Sequence, residues 1–173
     1  LFTLMFAFSI QSQVIITEIA DPNNDSQARF IELTNIGDNA FDLTGYQLVR
    51  WTNANTAYTT SSAVDLSEFG SLQSKGILTL ANNTNFETVY GVAPTKVIGS
   101  GGPADSNGDD NIAILDPNGS IYDVYGVPGT DGTGQPHEFE DGRAERKGSV
   151  TAPSSTWDLN EWNIDNDLSL IHI

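Results

Sequence analysis

Apolar and polar side chains alternate along residues 30–34, and this alternation is typical of a β-strand that packs one face against a core. Ile31 and Leu33 share one face of the predicted strand, and Glu32 lies on the other. A polar turn over residues 35–39 follows. The next apolar positions are Phe41, Leu43, Tyr46 and Leu48. This stretch therefore predicts a strand, a turn, a buried leucine and a further strand.

The same kind of patterning predicts further elements along the chain. Strand patterns occur at residues 14–20, 77–81, 111–115 and 120–126. The last two flank an Asp-Pro-Asn-Gly turn, which predicts a β-hairpin because proline presets the second turn position and glycine suits the fourth. One short helix is predicted over residues 86–90, ended by Gly91. Residues 58–60 and 63–64 are short strand candidates.

Three motifs follow one another at fixed spacing: Ile-Thr-Glu-Ile at residues 16–19, Phe-Ile-Glu-Leu-Thr-Asn at 30–35 and Asp-Leu-Thr-Gly-Tyr-Gln-Leu at 42–48. They resemble the lamin tail domain family, which is found in nuclear lamins and in many secreted bacterial proteins. The hairpin extends the resemblance over residues 14–126. The residues that carry it are Glu18, Phe30, Ile31, Glu32, Leu33, Asn35, Asp42, Leu43, Gly45, Tyr46 and Gly119.

The resemblance implies an all-β fold, an immunoglobulin-like β-sandwich. It also implies a module without catalytic activity, because the family is defined by its core and not by an active site.

The organisation of the chain is predicted from changes in composition. Residues 1–13 are apolar and then polar, as in a truncated secretory signal peptide, and a buried N-terminal strand is the alternative. Residues 14–126 form the sandwich. Residues 127–167 are a C-terminal extension that we expect to pack on it, and residues 168–173 are expected to be non-native read-through, because they match the translation of a sequencing adapter.

The charge of the chain excludes several classes of function. Twenty-three acidic residues against seven basic ones give a net charge of −16, which repels nucleic acids and anionic membranes. The chain has no cysteine, which excludes disulfides, thiol nucleophiles and zinc–thiolate sites.

The loop over residues 99–110 is the candidate metal site. Its oxygen-bearing side chains recur as in an Asp-x-Asn-x-Asp calcium loop, at Asp105, Asn107, Asp109 and Asp110. The glycine falls one place early for an EF-hand, and no distal glutamate follows. The alternative is a solvated hairpin turn, and calcium is the cofactor that the loop would take.

Two other groups of residues are candidates for chemistry or binding. Glu18 and Glu32 lie in neighbouring predicted strands and could act as an acid–base pair, although solvent-facing carboxylates are the favoured interpretation. Five residues of the extension could bind phosphate, carboxylate or sugar: Arg143, Arg146, Lys147, Trp157 and Trp162. The favoured alternative is that the bases pair with nearby acids and the tryptophans pack on the sandwich.

Little in the sequence supports catalysis, since His137 lies outside any triad pattern and no phosphate-binding loop is present.

We predict a secreted or cell-surface, non-catalytic module for adhesion or scaffolding, with an extracellular protein or glycan as partner. We expect no direct contact with nucleic acid and no membrane span after removal of the leader. The alternative is an accessory N-terminal domain of a larger secreted hydrolase, of nuclease or phosphodiesterase type, with a catalytic domain downstream. A third hypothesis is metal-dependent hydrolysis by Asp105, Asp109 and Asp110.

Overall fold

A computed structural model of the chain describes residues 13–166. The predicted leader, apart from Gln13, and the predicted read-through therefore lie outside the described residues. The strands in the described range are β1 (Val14–Ala20), β2 (Phe30–Asn35), β3 (Phe41–Asp42), β4 (Gln47–Trp51), β5 (Val64–Asp65), β6 (Ser71–Leu72), β7 (Ile77–Ala81), β8 (Lys96–Val97), β9 (Asn111–Leu115), β10 (Ile121–Tyr125), β11 (Arg143–Arg146) and β12 (Trp162–Asp165). One α-helix, α1, covers Phe86–Tyr90, and 3₁₀ turns lie at Pro22–Asn24, Thr60–Ser62, Leu66–Phe69 and Leu159–Glu161.

The strands form two main sheets and a small ribbon. The large sheet has the order β12-β11-β1-β2-β7-β8, the small sheet has the order β10-β9-β4-β5, and β3 pairs with β6. Neighbouring strands are antiparallel except for β7 and β8, which are parallel. The predicted all-β architecture is thus confirmed.

The main core lies between the inner faces of the two sheets. Ile31 and Leu33 of β2 are buried in it, as their alternation with Glu32 predicts. Leu48 of β4 and Ile114 of β9, which are cross-strand partners in the small sheet, lie in the same core. The two-residue period of the strands thereby places one apolar row of each sheet against the other.

A bulge in β1 keeps the first strand in register with this core. The pairing of β1 with β2 shifts between Ile16 and Glu18, so one residue is unpaired there. Ile16 and Ile19 therefore both reach the core although they are three positions apart. Glu18 is left on the outer face of the large sheet, opposite Glu32.

The outer face of the large sheet carries its own apolar cluster under α1. Phe30 of β2 packs edge-on against Phe86 and Tyr90 of the helix, with ring centroids 5.4 Å apart in both pairs. The Tyr90 hydroxyl donates a hydrogen bond to the Ala28 carbonyl oxygen at 2.9 Å. Gly91 ends the helix in a left-handed conformation, as the sequence predicts.

The C-terminal extension supplies two strands of the large sheet. Strand β11 pairs with β1, and β12 pairs with β11 at the edge of the sheet. Trp162 of β12 packs edge-on against Tyr125 of the small sheet at a centroid distance of 4.7 Å. The Tyr125 hydroxyl donates to the His137 carbonyl oxygen at 2.8 Å, which fixes the loop before β11 to the core.

Residues 58–60 differ from their predicted strand. Thr59 donates its N–H to the Arg50 carbonyl oxygen at 3.1 Å, and its own carbonyl oxygen accepts from Ser62 at 3.2 Å. The Thr/Ser-rich sequence thus closes a local turn and does not extend a sheet.

Candidate functional site

Three buried arginines hold the loops of the sandwich in place, and each pairs with a buried aspartate. The first is Arg29, whose Nε lies 2.6 Å from Asp21 Oδ1. Its Nη1 lies 3.1 Å from Asp105 Oδ1, so one guanidinium joins the loop after β1 to the loop before β9. Asp105 also accepts from Asn82 Nδ2 at 2.8 Å and from the Gly101 N–H at 2.7 Å. Its carboxylate is therefore already engaged by protein donors.

Arg50 of β4 makes the second buried pair. Its Nη1 lies 3.0 Å from Asp110 Oδ2, and its guanidinium also donates to the backbone carbonyl oxygens of Asp105 and Gly101. The other Asp110 oxygen accepts from the Asn53 N–H at 2.9 Å. Burial raises the pKa of Asp110 above its ordinary value, and the charge of Arg50 offsets part of this effect.

Arg146 of β11 makes the third pair, which lies deepest. Its side chain is 1% exposed, and its Nη1 donates to both oxygens of Asp123 on β10. Its Nη2 binds Glu161, and its guanidinium lies 4.9 Å from the Trp162 ring centroid. Arg146 and Trp162, two of the predicted ligand-binding residues, are thus packed together in the interior.

The other predicted ligand-binding residues lie apart from one another. Arg143 faces the outer side of the large sheet, with its Nη1 3.2 Å from Glu18 Oε1. Lys147 donates to the Asn160 carbonyl oxygen at 2.8 Å. Trp157 is half-buried, with its ring centroid 5.5 Å from that of His137. The five residues therefore do not form one exposed surface.

The four predicted calcium ligands do not converge either. Asp105 and Asp110 are held by different arginines, and Asn107 is exposed. Asp109 contacts Asn53 and Thr133, on other loops. Across residues 13–166, no three acidic, histidine or cysteine side chains are placed to hold a metal together.

Glu18 and Glu32 are direct cross-strand neighbours on the outer face of the large sheet. Glu32 accepts a hydrogen bond from the Thr17 hydroxyl at 2.6 Å. Burial raises the pKa of Glu18, and the neighbouring Arg143 opposes this shift while Glu32 and Glu145 add to it. The pair is thus part of a charged row across the sheet, in which Arg143 lies between the carboxylates of Glu18 and Glu145.

A cleft of about 530 Å³ lies between the outermost strands of the two sheets, β5 and β8. It is lined by residues 61–65 and 96–98 together with Glu68. Val64 and Ile98 pack against the main core from this side. Lys96 forms an ion pair with Glu68 and lies 6.0 Å from the Phe69 ring centroid, which joins β8 to the turn after β5. We call this feature the edge cleft.

A model of the lamin tail domain family matches residues 9–129. The chain belongs to the lamin tail domain family. Its sandwich is therefore immunoglobulin-like, as the motif resemblance implied, and the family is one of non-catalytic domains. No curated protein matches the chain. The family match ends before β11, whereas the large sheet of this lamin tail domain continues through β11 and β12.

The motif residues hold the lamin tail domain fold in three ways. Some fill cores: Phe30, Ile31, Leu33 and Leu43 are buried. Asn35 is buried too, and its amide donates to the Leu72 and Asn39 carbonyl oxygens at 2.8 Å. Others shape turns: Asp42, Gly45 and Gly119. These roles are structural.

Arg29, Arg50 and Asp123 are not evident from the sequence as buried ion-pair residues, and the burial of His137 is not evident either. A signal was present for two of them, because Arg50 and Asp123 are single charges within otherwise apolar strand patterns. A charge at such a position indicates a buried partner.

Among residues 13–166, no helix has the length and hydropathy needed to cross a membrane.

Proposed function

We propose that this lamin tail domain is an extracellular, non-catalytic binding module and that its edge cleft takes an extended segment of a partner protein. The observation that carries the proposal is that both sheets end at this cleft, in β5 and β8. The outermost strand of a sheet has backbone groups free on one side, and an extended peptide can pair with them.

The chemistry of the cleft favours a particular kind of segment. Val64 and Ile98 offer apolar contacts, whereas Asp65, Glu68, Lys96 and the hydroxyl groups of Ser61 and Ser62 make the rest of the lining polar. Lys96 pairs with Glu68, and two acids against one base leave the lining with a net negative charge. A segment with alternating apolar and basic side chains would match this lining. The net charge of −16 would also speed its approach.

The extracellular location is supported by the apolar leader predicted over residues 1–13. The same cleft would serve the module as an accessory domain of a secreted hydrolase, because binding at β5 and β8 requires no catalytic group.

Selection of peptides from a display library tests the proposal. We expect selected peptides to be extended and basic, and Ser61→Arg to weaken their binding at least about tenfold by filling the cleft. Ser149→Arg is the matched control, since Ser149 is exposed on a different cleft beside residues 150–154 and should leave binding unchanged. Peptides whose binding survives Ser61→Arg would contradict the proposal.

A further inference from the structure

Asp109 differs from the other buried aspartates of the sandwich. Asp21, Asp110 and Asp123 each lie within ion-pair distance of an arginine, at 2.6, 3.0 and 2.8 Å. Asp109 is 8% exposed, and the described part of the chain places no lysine, arginine or histidine within ion-pair distance of it. Buried charges in proteins are paired or coordinate metals, because an unpaired charge is costly to remove from water.

The contacts of the Asp109 carboxylate leave one oxygen without a donor. Its Oδ2 accepts from Asn53 Nδ2 at 3.1 Å and from the Thr133 hydroxyl at 3.5 Å. Its Oδ1 is enclosed and accepts no hydrogen bond from the described residues. A cation beside Oδ1 would satisfy both the charge and the free lone pairs.

Asp131 brings a second carboxylate to the same neighbours. Its Oδ1 accepts from the Thr133 N–H at 3.0 Å. The Thr133 N–H and hydroxyl hold the pKa of Asp131 below its ordinary value, and the Asn53 side chain contributes to this effect. Asn53 and Thr133 therefore lie beside both carboxylates.

The backbone fixes Asp109 against the loop that carries Asp131. The Gly132 N–H donates to the Asp109 carbonyl oxygen at 2.8 Å, and a Cβ at Gly132 would lie 2.7 Å from that oxygen. His137 does not neutralise the two carboxylates near pH 7, because burial lowers its pKa although the charges of Asp131 and Glu138 oppose this.

We propose that Asp109 and Asp131 bind one calcium ion, together with the hydroxyl oxygen of Thr133. Two carboxylates with a neutral oxygen ligand suit a hard cation, and calcium accepts irregular oxygen sets more readily than magnesium does. The ion would join the segment before β9 to the loop after β10. Of the linear Asp105–Asp110 series, this site keeps Asp109 alone.

Calorimetric titration of the chelator-treated full chain with calcium tests the site. We expect saturable binding of one ion, at least tenfold weaker binding by Asp131→Asn and none by Asp109→Asn. Asn107→Ala should bind like the parent chain, since Asn107 is exposed. Glu87→Gln is the charge-matched control, because Glu87 is an exposed residue of α1.

A thermal melt separates loss of binding from loss of folding. With chelator present, Asp109→Asn should melt above the parent chain, because it removes an uncompensated buried charge. With calcium present, the order should reverse, because only the parent chain gains binding energy. Absence of saturable calcium binding would overturn the proposal, as would equal shifts by magnesium and calcium, full binding by Asp109→Asn, or loss of binding in Asn107→Ala.

Discussion

Arg146 donates from Nη1 to both carboxylate oxygens of Asp123, at 2.9 and 2.8 Å. The pair joins β11 of the large sheet to β10 of the small sheet. Asp123 also accepts the backbone N–H groups of Ile16 and Ser154, at 2.8 and 2.9 Å. One carboxylate thus connects four segments of the chain. Burial raises its pKa although Arg146 and the backbone donors oppose this shift.

Removal of Arg146 should destabilise the fold severely. Arg146→Met keeps much of the side-chain volume but leaves the Asp123 charge buried without a cation, which costs about 3–5 kcal/mol. Urea denaturation followed by tryptophan fluorescence measures the loss. Lys147→Met, at a neighbouring position with an exposed ammonium contact, should change the free energy of unfolding by less than about 0.5 kcal/mol. Similar effects of the two substitutions would contradict the assigned role of the pair.

Gly108 should tolerate no side chain. Its φ is +98°, and a Cβ there would lie 2.3 Å from the backbone N and Cα of Glu140. We expect Gly108→Ala to cost at least about 3 kcal/mol, since backbone strain and a backbone clash add. Gly99→Ala is the matched control. Its φ is +81°, and apart from the adjacent residues no atom would lie within 4 Å of a Cβ built there, so the free energy of unfolding should fall by only about 1 kcal/mol. Chemical denaturation of both variants gives the comparison.

The stability contribution of Glu18 should depend on pH in a defined direction. Its pKa is raised in the folded state, chiefly by burial, so the folded state disfavours the ionised form. The contribution of Glu18 is therefore fully present below its ordinary pKa of 4.5 and is lost as the pH rises through the folded-state pKa. Glu18→Gln should stabilise the protein at neutral pH relative to its effect below pH 4.5.

The free energy of unfolding, measured by chemical denaturation at neutral pH and below pH 4.5, checks this prediction. Glu87→Gln removes a charge from an exposed helical position and should show no such difference. If Glu18→Gln destabilises more at neutral pH than in acid, the ion pair with Arg143 outweighs the burial of the carboxylate, and the prediction is wrong.

Phe86, in the apolar cluster under α1, should contribute as much to the free energy of unfolding as a residue of the main core does. Phe86 is 1% exposed and contacts both Phe30 and Tyr90, at centroid distances of 5.4 and 4.5 Å. Phe86→Ala should cost about 3–5 kcal/mol in denaturation experiments. Val89→Ala on the same helix should cost less than about 0.5 kcal/mol, because Val89 is 45% exposed. A small loss at Phe86 would show that α1 is not anchored to the sheet.

The sequence predicts those strands whose own residues show the apolar pattern of a buried strand. Ile31 and Leu33 alternate with polar residues, and residues 77–81 are apolar throughout, so β2 and β7 are evident. Strand β11 is not, because Ala144 is its one apolar residue. Strand β11 forms because Ala144 pairs with Ile19 of β1 and because Arg146 makes a buried ion pair with Asp123. Both conditions depend on distant residues.

The candidate sites show the same limit. A linear series such as Asp105, Asn107 and Asp109 is visible in the sequence. The arginine that engages Asp105 is Arg29, which directly precedes β2 and is distant from this series along the chain. The neighbours shared by Asp109 and Asp131 come from loops after β4 and β10. The edge cleft likewise exists only once both sheets are complete, since one wall belongs to each.

Strand β1 pairs with β11, and this has a consequence for biosynthesis. Glu18 and Arg143, which form an ion pair between these strands, are 125 residues apart. A ribosome that adds about 5–20 residues per second needs roughly 6–25 s to make that length. During this time β1 has β2 on one side and no partner on the other. An open strand edge binds other chains, so the yield of soluble protein should depend on how well the nascent chain is shielded before translation reaches β11.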